Sequence, residues 1–219
     1  MSEVKLIKIR EEILADNRGL ADELRSRMKR RGVTLLNIMA SPGGGKTSLI
    51  LKTIDALRET THIGVIEADL DSTVDADKVA AVGVDAVQIE TGGFCHIDAA
   101  MVERALESLD PEYLDLILIE NVGNLVCPAD VDTGADANVV ILSIPEGDDK
   151  PLKYPNMFAV ADVVVVNKID YLKIAPFDFE AFSKRVHQLK PGVPIIEVSC
   201  VSGAGIPAWA DWLRSFLGR

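Results

Sequence analysis

Residues 40–47 read Ala-Ser-Pro-Gly-Gly-Gly-Lys-Thr and follow directly on the apolar run Val33–Met39. A strand that runs into a glycine-rich loop and then into Lys-Thr leaves few folds open. Successive backbone N–H groups of such a loop turn inward and make a positively polarised cradle at a helix N-terminus. Gly43, Gly44 and Gly45 let the main chain come close, because no Cβ intervenes. Lys46 stands where it can reach cradled phosphates, Thr47 offers a hydroxyl to Mg²⁺, and Ser48 follows in the same turn. The usual pattern opens with Gly. Here Ala40 holds that place, so the first turn must accommodate one Cβ.

The rest of the chain continues the alternation that this unit starts. Apolar runs rich in Val, Ile and Leu occupy 33–39, 62–67, 85–89, 115–120, 138–144, 162–167 and 194–198. Continuous apolarity means that both faces of a strand are covered, the habit of a parallel sheet between helices. Amphipathic segments at 46–59, 75–81, 97–109, 178–189 and 205–217 supply those helices. The expected fold is therefore α/β of the P-loop NTPase kind, with a mostly parallel sheet of about seven strands covered on both faces. Ile13, Asn17, Leu20, Leu24 and Met28 recur at helical spacing, so residues 9–31 read as an amphipathic helix that Gly32 closes in a left-handed conformation. Residues 1–219 read as a single domain, with 1–32 an N-terminal helix and 33–219 the nucleotide-binding body. The turn-rich stretch 145–156 reads as a loop within it.

Composition narrows the partners. A net charge of −11 argues against a chain-wide nucleic-acid surface. Arg25, Arg27, Lys29, Arg30 and Arg31 do cluster in the last turns of the first helix. They suit the helix dipole there, and a surface for an acidic partner is the alternative. No apolar stretch approaches the roughly 18 residues of a membrane span, and the charged N-terminus lacks the apolar block of a signal peptide. Three cysteines at irregular spacing suit a reducing cytoplasm better than a disulfide framework.

Further motifs stand at strand ends. Asp69, Asp71 and Asp75 follow the strand 62–67, where a Mg²⁺ shell or a water-orienting group is needed, although Thr73 or Asp75 would also serve as a helix N-cap. Glu120 ends an apolar strand, so its carboxylate can hold Mg²⁺ through water. Gly123 nearby can present its N–H to a terminal phosphate. Asn167-Lys168-Ile169-Asp170 ends another buried strand. An Asp carboxylate there accepts both N1–H and N2–H of guanine, a pairing adenine cannot offer. Lys168 can lie along the base plane and Asn167 can brace the phosphate loop. Ser199-Cys200-Val201 completes a base pocket through backbone N–H groups. The phosphate cradle and the guanine reader together imply GTP.

Cys95 and His96 stand in Thr-Gly-Gly-Phe-Cys-His-Ile-Asp, and Cys127 in Glu-Asn-Val-Gly-Asn-Leu-Val-Cys-Pro. Two thiolates and an imidazole suit Zn²⁺ or Ni²⁺. Buried cysteine is also commonly plain core. Adjacent residues diverge on a helix or strand, so Cys95 and His96 can share an ion within one chain only on irregular backbone. A site shared across a two-fold dimer relieves that constraint.

With these strings in place, the chain from about residue 33 onward resembles the HypB family, the nickel-incorporation GTPases of hydrogenase maturation. Glu-Gly-Asp-Asp-Lys-Pro-Leu-Lys-Tyr-Pro at 146–155 extends the likeness. The resemblance implies a GTP-dependent homodimer with Cys95, His96 and Cys127 as ligands for nickel or zinc. It also implies partners in maturation, namely a nickel-accessory protein and the hydrogenase large subunit. All three cysteines lie beyond residue 94 and only His62, His96 and His187 are present, so nickel storage and a separate N-terminal nickel site are not expected. Ala100 stands where many members carry a second His. Lys46, Asp69, Asp75 and Glu120 are the expected catalytic set, without a water-orienting Gln, so turnover should be slow. The rivals are an accessory GTPase for urease or a cobalamin enzyme, a non-enzymatic nucleotide-dependent regulator, and a structural zinc protein. Ala129 after Cys127-Pro128 differs from the Cys-Pro-His of the urease proteins.

Overall fold

The computed structural model describes residues 9–69, 74–109 and 111–218. Strands β1 (Thr34–Ala40), β2 (Ile63–Asp69), β3 (Asp85–Glu90), β4 (Leu116–Glu120), β5 (Ala137–Ser143), β6 (Val163–Asn167) and β7 (Ile195–Glu197) pair side by side in the order β3-β2-β4-β1-β5-β6-β7. Every pairing is parallel. Helices α1 (Ile9–Arg31), α2 (Lys46–Leu57), α3 (Val74–Ala80), α4 (Ala99–Leu106), α7 (Phe179–Leu189) and α8 (Ile206–Phe216) pack around this sheet. The fold is the expected α/β P-loop architecture, and the strand-to-helix step from β1 to α2 is its glycine loop.

The period-two alternation of the strands sorts the core into faces. Leu36, Ile38, Leu116, Leu118, Val139, Ile141, Val163 and Val165 point to one side and meet Leu49, Ile50 and Ile54 of α2 with Trp209 and Leu213 of α8. On the opposite side, Leu35, Ile66, Ile117 and Ile119 meet Leu24 and Met28 of α1 and Val102 of α4. Further along that second side, Val140, Leu142, Val164 and Val166 meet Met157, Phe158, Phe182 and Val186. Continuous apolar strands are needed because both sides are covered.

Helix α1 does close at Gly32, which has φ +74° and donates to the Lys29 carbonyl. Leu24 and Met28 are buried as their spacing predicts, while the Ile13 side chain lies outside the described residues. The basic cluster is partly tied inside the chain. Arg25 pairs with Asp132 at 2.8 Å, and Arg27 with Glu103 at 2.7 Å. The stretch 145–156 is not a plain loop: it carries α5 (Lys150–Lys153) and the start of α6 (Pro155–Ala159). Pro151 and Pro155 stand in the first turns of these helices, where a fixed φ and a missing N–H cost nothing. Met157 and Phe158 anchor the second of them in the core. The sequence pattern reads such prolines as turns because their helices are too short to show a period. Among the described residues, no helix is long and apolar enough to cross a membrane.

Trp209 is fully buried, and its indole N–H donates to Thr53 Oγ1 at 2.8 Å, tying α8 to α2 behind the glycine loop. Trp209→Ala should cost about 3–5 kcal/mol of stability through the cavity it leaves. Trp209→Phe should lose less, chiefly the hydrogen bond, about 1 kcal/mol. Urea unfolding midpoints of both variants check this, and equal losses would contradict it.

Candidate nucleotide and metal sites

Ala40 ends β1, and the chain turns at once through Ser41–Gly45 into α2. The Gly44 N–H donates to the Ser41 carbonyl at 3.1 Å. Two of the three glycines in this loop leave no room for a Cβ. Gly45 has φ +101°, and a Cβ there would lie 2.2 Å from Asn167 Nδ2. A Cβ on Gly44 would lie 2.9 Å from that of Ala40, so the Ala that replaces the usual first Gly is accommodated against a bare Gly44. From β6, the Asn167 side chain donates to the Gly44 carbonyl at 3.1 Å and Lys168 Nζ to the Gly43 carbonyl at 2.7 Å. Lys168 has φ +61°, the one positive φ of a non-glycine residue among those described. The Asn167 side-chain oxygen Oδ1 steadies that conformation by accepting the Lys168 N–H at 2.7 Å. Ser41 Oγ donates to Glu146, whose other oxygen accepts the Ser143 N–H.

A cavity of about 300 Å³ opens over this loop. Gly43, Gly45, Lys46, Thr47, Ser48, Asp75, Glu120 and Lys168 line it. Thr47 Oγ1 donates to Glu120 Oε1 at 3.0 Å, and Lys46 Nζ stands 3.6 Å from the same oxygen. Asp75 is not a helix cap. It lies inside the first turn of α3 and pairs with Lys78 at 2.6 Å. Asp69 ends β2, its carbonyl accepting the Thr91 N–H, and is not part of the cavity lining. Asp71 and Thr73 lie outside the described residues. Gly123 rests on the loop from the other side, where a Cβ would meet Pro42 at 3.1 Å.

Glu67 was not anticipated. It lies opposite Glu120 in the β2–β4 register and is as buried as its partner. Burial, a hydrogen bond with Glu120 and the negative charges of Glu120 and Asp75 push its carboxyl up to about 10, against a smaller pull from Lys46. Among the described residues, Glu67 Oε1 and Glu120 Oε2 are buried without a hydrogen-bond partner. The available signal was a lone acid in the otherwise apolar run Ile63–Ala68.

At the base end, Asp170 lies in the first turn of a 3-10 helix (Ile169–Lys173) after β6 and is exposed. Ser199 Oγ donates to Asp170 Oδ1 at 2.6 Å, and Ser202 N–H donates to Ser199 Oγ at 3.1 Å. Cys200 packs against the core, and burial raises its thiol to about 11. Val201 is largely exposed.

The third cluster joins two loops. Gly92 (φ +60°) and Gly93 (φ +99°) form a tight turn closed by Phe94 N–H to the Thr91 carbonyl, in the manner of a type I′ turn. Cys95 and His96 follow on irregular backbone rather than at a helix start. Helix α4 begins only at Ala99, because Asp98 caps it by accepting the Met101 N–H. Cys127 opens a 3-10 turn, Cys127–Ala129, seven residues beyond Glu120. One ligand atom from each of Cys95, His96 and Cys127 lies within 4.8 Å of the others. The convergence occurs within one chain because Cys95 and His96 lie on irregular backbone, the condition on which adjacent residues can share an ion. A hydrogen bond from the Cys95 thiol to the Cys127 sulfur, with partial burial, holds the Cys95 proton and raises that thiol. Two sulfurs and an imidazole form a soft donor set for a borderline metal such as nickel or zinc.

Glu67 provides a pH test. The unfolded chain releases this proton near 4.5, whereas the folded protein keeps it to about 10. Below the lower value both states are protonated and the pair is without penalty. Above it the unfolded chain binds fewer protons, so stability falls as pH rises toward the upper value. Glu67→Gln keeps the shape and removes the ionisation. Its melting temperature should therefore decline less than that of wild type between about pH 5 and about pH 9. Parallel curves would show that the carboxyl pair is not the cause.

Comparisons with known proteins agree with this geometry. Residues 34–197 match the CobW/HypB/UreG nucleotide-binding domain. The chain is 45% identical over 214 residues to the hydrogenase maturation factor HypB of Azotobacter vinelandii, a match covering 98% of this chain and 71% of that protein. It is 46% identical to the hydrogenase/urease maturation factor HypB of Helicobacter hepaticus, covering 96% and 88%. The crystal structure of HypB from Helicobacter pylori in complex with nickel superposes with a TM-score of 0.88 at 38% identity, over 92% of this chain and 95% of that one. A glycine loop braced from β6, carboxylates beneath it and a soft donor cluster beside it thus coincide with a nearly full-length match, and the chain belongs to the HypB hydrogenase maturation factors of the CobW/HypB/UreG family.

Proposed function

We propose that this chain binds and slowly hydrolyses GTP, and that the nucleotide state controls a nickel ion carried by Cys95, His96 and Cys127 toward a nickel–iron hydrogenase. The observation that carries this reading is the convergence of those three ligand atoms on loops that leave the same sheet edge as the phosphate loop. In this reading residues 1–219 act as one GTPase domain, the protein works in the cytoplasm as a nucleotide-dependent homodimer, and its partners are a nickel-accessory protein and the hydrogenase large subunit. The same donor set also suits zinc.

Lys46 and the N–H groups of Gly43–Gly45 and Thr47 stabilise charge on the β- and γ-phosphates as water attacks. Glu120 and Asp75, which line the cavity, order the attacking side, and Asp69 supports them from the end of β2. Gly123 places its N–H toward the terminal phosphate. The residues present fit Mg²⁺: the Thr47 hydroxyl and Glu120 carboxylate already adjoin, and two buried carboxylate oxygens have no partner among the described residues. Bound there, Mg²⁺ would neutralise phosphate charge. Asp170, oriented by the Ser199 hydroxyl, reads the guanine edge. Lys168 lies along the base, Asn167 braces the loop, and the backbone of Ser199–Val201 faces the base oxygen.

A second reading concerns the recipient. The Helicobacter relatives are named for both hydrogenase and urease, so delivery to a urease is the alternative outcome of a transfer assay with both apoenzymes.

Asp170→Asn should lower GTP affinity on the order of a hundredfold, because the amide presents a donor to guanine's own N–H groups, and should shift preference toward xanthine nucleotides. Equal binding of ATP and GTP by wild type would sink the guanine assignment. Cys127→Ala should weaken nickel binding at least about tenfold while GDP affinity is kept. Chelator competition and fluorescent-GDP titration read the two quantities, and unchanged nickel affinity would remove Cys127 from the site.

A further inference from the structure

Residues Asn121–Asn124 continue from β4 along the end of β1. The Asn121 N–H donates to the Ile38 carbonyl at 3.0 Å, and the Asn124 N–H to the Ala40 carbonyl at 2.9 Å. Ala40 is the last residue before the phosphate loop turns, and Gly123 lies against Pro42 within that loop. The Asn124 side chain makes two further bonds in other directions. Its oxygen accepts the Val126 N–H at 2.8 Å, one residue before Cys127. Its amide nitrogen donates to the Cys95 carbonyl at 3.4 Å. One side chain thus touches both segments that carry thiols, and its own backbone is fastened to the base of the phosphate loop.

We propose that Asn124 is the positioning residue through which the phosphate loop and the Cys95–His96–Cys127 cluster sense each other. This rests on the reading that nucleotide state and nickel affinity are linked. A shift of the Ala40–Pro42 backbone moves Asn124 through a main-chain bond, which substitution of the side chain does not remove. The side chain then transmits the shift to two ligand-bearing loops that are separate in sequence. The bond to Cys95 is long, so a small displacement makes or breaks it, and hydrogen-bond strength falls steeply there. Because the Val126 N–H must face an oxygen, the amide nitrogen is the end turned to Cys95.

The two bonds can be separated. Asn124→Asp keeps an oxygen for Val126 but sets a carboxylate against the Cys95 carbonyl. Asn124→Ala removes both bonds. Wild type and both variants would be titrated with Ni²⁺ against a chromophoric chelator, in Mg-GDP and in a non-hydrolysed GTP analogue. Thiolate-to-nickel charge-transfer spectra and GDP affinity would be recorded alongside. Wild type should show a nickel-affinity ratio between nucleotides on the order of tenfold, with a spectrum that depends on the nucleotide. Asn124→Asp should bind GDP as wild type does, yet give a ratio near one and the same spectrum in both states, and Asn124→Ala should do likewise. A merely structural role would lower the melting temperature and leave the ratio intact. Wild-type coupling retained in both variants overturns the assignment of Asn124 alone. A wild-type ratio of one overturns the linkage reading and the assignment with it.

Discussion

The insertion of β4 between β1 and β2 governs the geometry around it. Thr34 to Ile38 pair in parallel with Leu116 to Glu120, and β2 pairs on the other side so that Glu67 faces Glu120. This register brings a carboxylate beneath Thr47 and Lys46, and it sends the chain beyond Glu120 along the phosphate loop. With side chains alternating, a slip of one residue would turn Glu120 to the opposite face and Ile119 into its place. The apolar residues on both faces of β4 prevent that slip, because every one of Leu116 to Ile119 is fully buried. Aliphatic packing therefore specifies where the charges stand.

Charge burial here is costly, and the structure shows how it is contained. Glu67 lies opposite Glu120 in a buried layer, and burial together with the neighbouring carboxylate holds the Glu67 carboxyl far above its ordinary value. Lys46 and Thr47 satisfy one oxygen of Glu120, and the other has no partner among the described residues. A buried acceptor left open is unfavourable for stability and useful for a cation. The proposed Mg²⁺ and phosphate chemistry draws on that imbalance. Across the loop, Asn167 and Lys168 use amide and ammonium donors on the glycine carbonyls, so the phosphate loop is held from the base side as well.

The thiol and imidazole cluster depends on backbone that is neither helix nor strand. Two glycines at positive φ deliver Cys95, and Asp98 holds back the start of α4 so that His96 is free of helical geometry. Helix α1 braces the surroundings: Asn17 accepts the Ala99 N–H and donates to the Asp132 carbonyl, joining the segment after His96 to the segment after Cys127. The cluster is thus framed by two asparagines, one facing the phosphate loop and one on the outer helix.

Read alone, the chain determined its α/β class, its parallel sheet and the order of its motifs. These follow from local rules: apolar runs of strand length, glycines before Lys-Thr, and Asn-Lys-x-Asp at the end of Val163–Asn167. It did not show α5 and the start of α6, because Pro151 and Pro155 signal a turn and a helix start equally well, and only the pocket for Met157 and Phe158 decides between them. It did not reveal Glu67, whose partner is 53 residues away in the register. It began the helical segment at residue 97, directly after His96, rather than at Ala99, since the Asp98 cap and the Gly92–Gly93 turn are settled by a few hydrogen bonds rather than by periodicity. Local chemistry is written in neighbouring residues, whereas convergence depends on distances across the sheet. The approach of Cys127 to Cys95 and of Glu120 to Thr47 was therefore decided by strand order and register, which only the packed structure contains.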